Sequence, residues 1–266
     1  HTRYISVTGV QTCALPISAF GASAQYRQSG ESGSASAAEG NAAQRRAKSG
    51  DRQNAERNSL SLDVSERGLS LIKSFEGLHL RAYRCPAGVA TIGYGHTQGV
   101  QLGDTLSGEG QAAAFLRQDL ARHVREVNAV FQGVPLTQDQ FDALASASFN
   151  CGCLKGGTSG FAKYAQRQFK RLADSSDPGE QAEISAGIVA YLCRYNRANG
   201  KMLDGLLRRR LSEGLMLVGD ANPIVSIDEY RQVKKEAEAA IQPPQGFPKK
   251  LAEKMARFLL ARRGIL

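Results

Sequence analysis

The stretch Glu76 to Thr97, EGLHLRAYRCPAGVATIGYGHT, places a carboxylate at Glu76, a thiol at Cys85, a hydroxyl at Thr91 and an imidazole at His96. So many different reactive groups in one short span point to an enzyme site. Glu76 is the natural proton donor among them. It falls in the last turn of an expected helix, where the negative end of the helix dipole disfavours an ionised carboxylate and suits a general acid. An isolated Glu at a helix end would be read as a solvated surface group; the neighbouring reactive residues are what reverse that reading. A thiol at Cys85 is mostly neutral at pH 7 and a weak base. His96 sits where a hydrogen bond at the exit of a hairpin is its ordinary use.

These groups need elements to hold them. Leu69, Leu71, Ile72 and Phe75 recur at helical spacing, with Ser65 placed to cap the start and Gly77 to stop the helix just after Glu76. Residues 80–85 and 89–94 read as two short strands around the Pro86-Ala87-Gly88 turn, so Cys85 and Thr91 would ride on a small hairpin facing the helix end.

With those residues in place, the span from Glu76 through Cys85 and Thr91 to IGYGHT resembles the catalytic signature of the phage-type lysozymes, glycoside hydrolase family 24. The Tyr195–Leu217 segment, YNRANGKMLDGLLRRRLSEGLML, resembles that family's closing segment, and TQDQFDALASASFNCG resembles its core helix. The similarity covers about residues 65–220. One departure stands out: the family usually has Asp where this chain has Cys85, with Cys in a minority of members.

The resemblance implies an α+β, mostly helical, two-lobed lysozyme-like fold, with a small antiparallel β-hairpin lobe beside a helical lobe. It implies a muramidase acting on the β-1,4 bond between N-acetylmuramic acid and N-acetylglucosamine of peptidoglycan, with Glu76 as acid and Thr91 holding the attacking water. It also implies that an arginine of the Arg208-Arg209-Arg210 run, taken as Arg208, approaches Glu76. Three arginines in a row on a helix point about 100° apart, so one faces the cleft while the others are solvated. For Cys85 three readings stay open: a neutral group orienting water, a thiolate acting as base or nucleophile, or the mark of a site that has lost activity. Rival functions are a lytic transglycosylase and a wall-binding or virion structural protein that keeps the fold without turnover.

Further along, Ser107 is a candidate cap for a helix running to about Phe131 with Ala113, Leu116, Leu120, Val124 and Val127 on its apolar face. Thr137 to Gln140 reads as a capping box, with Leu136 and Phe141 as its hydrophobic staple and Phe141, Leu144 and Phe149 buried. The glycine-rich stretch 154–160 lacks the order of a phosphate-binding loop and is read as an ordinary loop. Helices follow at about 160–172 and 180–195. Beyond 220, one helix is expected near 227–241 and a basic amphipathic one at about 248–263, with Leu251, Met255, Phe258 and Leu259 on one face. Packing on the rest of the protein is the first reading of that face, and attachment to an anionic wall or membrane surface the second.

The chain of 266 residues is long enough for one large or two small domains. The divisions are residues 1–60, a disordered or artefactual segment; 61–220, the catalytic domain; and 221–266, a basic helical extension. Residues 1–18 resemble a translated sequencing-adapter string or a truncated export signal and are set aside, while 19–60 have almost no bulky apolar residue to offset the entropy of ordering. The formal charge of +9 divides as +3, +2 and +4 over those three segments. Most of the excess therefore lies on the flanks, which weakens a nucleic-acid reading. No apolar run approaches the roughly 20 residues that span a bilayer. Cysteines at 13, 85, 151, 153 and 193 show no metal-type spacing, and a disulfide framework is not expected. A metal site built from His79, Cys85 and His96 would be an irregular mix of ligands and is set aside. The partner expected is peptidoglycan, with no cofactor, no metal, no nucleic acid and a monomeric chain.

Overall fold

The computed structural model describes residues 61–241 and 247–266, so the readings made for residues 1–60 lie outside the described part. The first helix, α1 (Glu66–Glu76), starts where the sequence says it should: Ser65 is extended and its hydroxyl accepts a hydrogen bond from the Gly68 amide at 3.2 Å. It stops at Gly77, whose φ of 73° is a conformation that side-chain-bearing residues avoid. Leu69, Leu71, Ile72 and Phe75 are buried.

The chain then turns into an antiparallel hairpin of β1 (His79–Arg84) and β2 (Ala90–Gly93), with Tyr83 opposite Thr91 and Arg84 opposite Ala90. The turn closes through Gly88 donating to the Cys85 carbonyl at 2.7 Å and Cys85 donating to that of Val89 at 3.0 Å. The hairpin leans on α2 (Glu109–Val130). Ser107 does not cap this helix. Gly108 occupies the cap position without a side-chain bond, and Ser107 binds the Gln111 side chain from both its amide (2.9 Å) and its hydroxyl (3.1 Å). The buried stripe is Ala112, Leu116, Leu120 and Val127, so Ala112 rather than Ala113 faces the core.

Next comes α3 (Gln138–Cys151), with the capping box intact: Gln140 N–H donates to Thr137 Oγ1 at 3.2 Å, and Thr137 N–H to Gln140 Oε1 at 2.9 Å. Phe141 and Leu144 are buried, whereas Phe149 is half-buried and meets the His123 ring edge-on. A short 3-10 turn at Lys155–Gly157 leads to α4 (Gly160–Asp174) and α5 (Pro178–Leu192). A small hairpin of β3 (Arg197–Ala198) and β4 (Lys201–Met202), which the sequence did not announce, precedes α6 (Asp204–Leu217).

Helices α3 and α6 form the centre. Both are buried in continuous runs, Gln140–Ser148 and Arg209–Leu217, rather than along one stripe. Ala143, Ala145, Ser146, Ala147 and Ser148 keep α3 slim enough for α6 to come close. At Gly214 of α6 a β-carbon would drive into Cγ1 of Val189 on α5. Gly214→Ala is expected to lower unfolding stability by about 1–3 kcal/mol through overpacking, read as an earlier midpoint in urea denaturation; an unchanged midpoint would show that α5 can shift freely.

The last two helices pack onto this core. Helix α7 (Ile227–Ala239) buries Tyr230, Val233 and Ala237, and Tyr230 donates to Asp204 at 2.8 Å. Helix α8 (Phe247–Arg262) sets Leu251, Ala252, Met255, Ala256, Leu259 and Leu260 against α5, α6 and α7, with Phe258 half-buried. Its charges have partners too: Glu253 pairs with Arg194 at 2.8 Å and Arg257 with Glu183 at 2.9 Å. The apolar face read as a possible surface anchor is thus occupied inside the protein. Among the described residues no helix is long and apolar enough to cross a membrane.

Candidate active site

Glu76 closes α1 with a side chain only 12% exposed, and its Oε1 receives a 2.5 Å bond from Nη1 of Arg209 on α6. Arg209 is itself buried. Its Nε reaches Glu213 Oε1 at 3.1 Å, one turn further along α6, and the same oxygen accepts from Ser146 Oγ at 2.7 Å and from Arg210 Nη2 at 2.9 Å. Arg210 is wholly buried and also binds Asn150 Oδ1 at 2.8 Å and Cys151 Sγ at 2.8 Å. Two guanidiniums therefore stand against two carboxylates, Glu76 and Glu213, and the charges balance where water is excluded.

The arginine of this run that meets Glu76 is Arg209, not Arg208. Arg208 donates to the Val225 carbonyl at 2.9 Å and lies over the Phe75 ring at 4.7 Å. One residue of helical phase, about 100°, decides between them. Nor are the other arginines solvated: Arg210 has no exposed surface and Arg208 is half-buried, its loss of water pushing its pKa down from the usual arginine value. Glu213, Ser146 and Asn150 were missed by sequence reasoning. The signal existed for Glu213, which follows Arg209 by four and Arg210 by three residues, the spacing of helical ion pairs.

Cys85 and Thr91 come together at one carbonyl. The Val89 oxygen accepts the Cys85 amide at 3.0 Å and the Thr91 hydroxyl at 3.0 Å, which locks the turn and both residues beside it. Thr91 is 1% exposed, and its hydroxyl proton is committed to the Val89 carbonyl. Cys85 is buried and disulfide-bonded. Sequence spacing carries no sign of that, because it does not report which sulfurs the fold brings together. A water-orienting or thiolate role requires the reduced sulfur.

His96 is buried, its Nδ1 at 3.0 Å from both carboxylate oxygens of Asp119 and its ring stacked 4.4 Å from that of Phe115. Its backbone exchanges two 2.9 Å bonds with Ile92. It fastens the hairpin exit to α2, a supporting task. A cavity of about 220 Å³ beside it is lined by Ile92, Val100, Thr105 and Phe115, and by neither Glu76, Cys85 nor Thr91.

Together these features define a mostly helical α+β protein in which the Glu76 carboxylate at a helix end is held by a buried arginine. Residues 73–213 match the family described as Phage lysozyme. An endolysin of Acyrthosiphon pisum secondary endosymbiont phage 1 is 41% identical over 154 residues, covering 57% of this chain and 95% of the relative. The SAR-endolysin of Haemophilus phage HP1 is 32% identical over 157 residues, covering 59% and 82%. Among solved structures, the muramidase domain of SpmX from Asticaccaulis excentricus aligns with a TM-score of 0.45 at 34% identity, over 58% of this chain and 97% of that one. The chain belongs to the phage lysozyme family. It is a glycoside hydrolase of that kind.

Proposed function

We propose that the chain is a muramidase that hydrolyses the β-1,4 bond between N-acetylmuramic acid and N-acetylglucosamine in bacterial peptidoglycan, in phage-type lysis of a host cell. The observation that carries the mechanism is Glu76, held at the end of α1 by Arg209 through one oxygen only. Arg209 fixes Oε1, which leaves Oε2 as the oxygen that delivers a proton to the leaving glycosidic oxygen. A guanidinium stays charged throughout and cannot compete as a base, so it serves as a fixed orienting group. Cleavage with inversion further needs a water on the opposite face of the sugar. Thr91 accepts from that water, and Cys85 helps to place or deprotonate it once its sulfur is reduced. His96 keeps the hairpin in position through Asp119. The partners are glycan strands, met by a monomer that uses neither cofactor, metal nor nucleic acid.

The test is clearing of a peptidoglycan suspension by the full chain, with and without a thiol reductant, beside Cys85→Asp and Cys85→Ser. Wild-type clearing is expected to rise on reduction, whereas the Asp variant clears with no reductant. Reducing sugar ends identify hydrolysis; anhydro ends would identify the transglycosylase reaction instead. If Ser clears as well as the reduced wild type, position 85 only positions water. If the Asp variant alone clears even with reductant present, the natural chain keeps the fold without turnover and the wall-binding reading takes its place.

A further inference from the structure

The C-terminal end of α3 carries a second reactive cluster, outside the groups assigned to glycoside cleavage. Cys151 ends the helix, half-buried; its sulfur accepts from Nη1 of Arg210 at 2.8 Å, and its thiol, when protonated, donates to the Ala147 carbonyl at 3.1 Å. The helix closes on Gly152, and Cys153, two residues on in the chain from Cys151, is buried. Arg210 is enclosed on all sides and its Nε has no hydrogen-bond partner. A wholly buried guanidinium that donates to a sulfur favours negative charge on that sulfur.

We propose that Cys151 is a modification site, an activated thiol attacked by soft electrophiles and peroxides, with Cys153 as its resolving partner. The neighbouring Cys153 thiol and the charges of Arg210 and Arg209 lower the Cys151 thiol from its ordinary value, against burial and the opposing charge of Glu213. Tyr195 also faces the pair, and its own pKa is pushed up to about 12, chiefly by burial. The other free thiols differ: Cys153 is driven well above the ordinary range by the neighbouring Cys151 thiol and by burial, and Cys193 is driven up by burial. Among the free cysteines of the described residues, Cys151 is the one whose thiol is lowered rather than raised. Its thiolate attacks one oxygen of a peroxide, forming Cys151–S–OH and releasing hydroxide. The Cys153 sulfur then attacks the sulfenic sulfur, the S–S bond forms, and the departing hydroxyl leaves as water with the Cys153 proton.

The experiment uses the full chain without reductant, so that Cys85 remains in its disulfide. Iodoacetamide is applied across a pH series and the modified peptides are weighed. Carbamidomethylation is expected at Cys151 with a rate midpoint below the ordinary cysteine value of about 8.5, and at neutral pH at least about tenfold faster than at Cys153 or Cys193, following thiolate fraction and exposure. Stoichiometric hydrogen peroxide is expected to give a Cys151–Cys153 linked peptide lighter by two hydrogens. In Cys153→Ser the sulfenic acid persists at Cys151 and is captured by dimedone. Labelling spread evenly over the free cysteines, or a midpoint at or above the ordinary cysteine value of about 8.5, overturns the activated thiol. Peroxide treatment that leaves neither linkage nor adduct overturns the resolving pair. Both wild-type arms decide without the variant, so a Cys153→Ser that fails to fold does not shield the proposal.

Discussion

Glu76→Gln is expected to cut peptidoglycan hydrolysis by on the order of 10²- to 10⁴-fold, the usual contribution of a positioned general acid. The amide has the shape of the carboxyl group it replaces. Its carbonyl oxygen can still accept from Arg209, so the contact between α1 and α6 survives in neutral form. What disappears is a group able to give up a proton, and, when that group is ionised, its charge beside a buried guanidinium. Arg209 keeps Glu213 as a partner, so the variant should stay folded with a modest loss of stability. The loss must therefore appear in kcat, with sedimentation of the protein on insoluble wall unchanged. Glu76→Asp gives a complementary reading: the acid is retained but drawn back by one methylene, away from both Arg209 and the substrate. A Gln variant that clears wall within a few-fold of the wild type would remove Glu76 from the chemistry, whatever its place in the fold.

The parts legible in the sequence are those fixed by local chemistry. Ser65, Gly77 and the Thr137–Gln140 box each satisfy or end a helix with atoms a few residues away, so residue type and spacing suffice. Glu76 was legible for the same reason, since its place in the last turn follows from Gly77. Ser107 was not, because its hydroxyl had the Gln111 side chain as a competitor within the same turn. Arg209 was misassigned as Arg208 because the identity of the inward residue depends on helical phase to within one position. That phase is hardest to read in α6, which is buried nearly all round and shows no contrast between faces. The disulfide at Cys85 was invisible because it is a relation through space. The basic C-terminal helix read correctly as amphipathic, but what its apolar face would meet depended on α5, α6 and α7, far away in sequence.

Glu213 is where a substitution should damage stability most. Its Oε1 alone accepts from Ser146, Arg209 and Arg210, and the side chain has no exposed surface. Glu213→Leu leaves two buried guanidiniums with Glu76 as their one carboxylate, and breaking a buried pair in this way costs about 3–5 kcal/mol. The loss should appear as a lower urea midpoint with an unchanged slope. The same change frees Arg209 Nε, so Glu76 loses the brace behind its own partner, and kcat should fall more than KM rises. The Glu213 side chain is not an ideal acceptor, however: Oε2 is buried with no hydrogen-bond partner, as is Arg210 Nε. That imperfection makes a compensating pair possible. Arg210→Met combined with Glu213→Leu removes one charge of each sign and both unsatisfied atoms, leaving Arg209 and Glu76 to neutralise each other. The double variant is therefore expected to be more stable than Glu213→Leu alone, with a coupling of about 0.5–3 kcal/mol between the two positions. If instead the two losses simply add, Arg210 and Glu213 stabilise the core by their separate packing, and the charge balance behind Glu76 is not what holds α3 and α6 together.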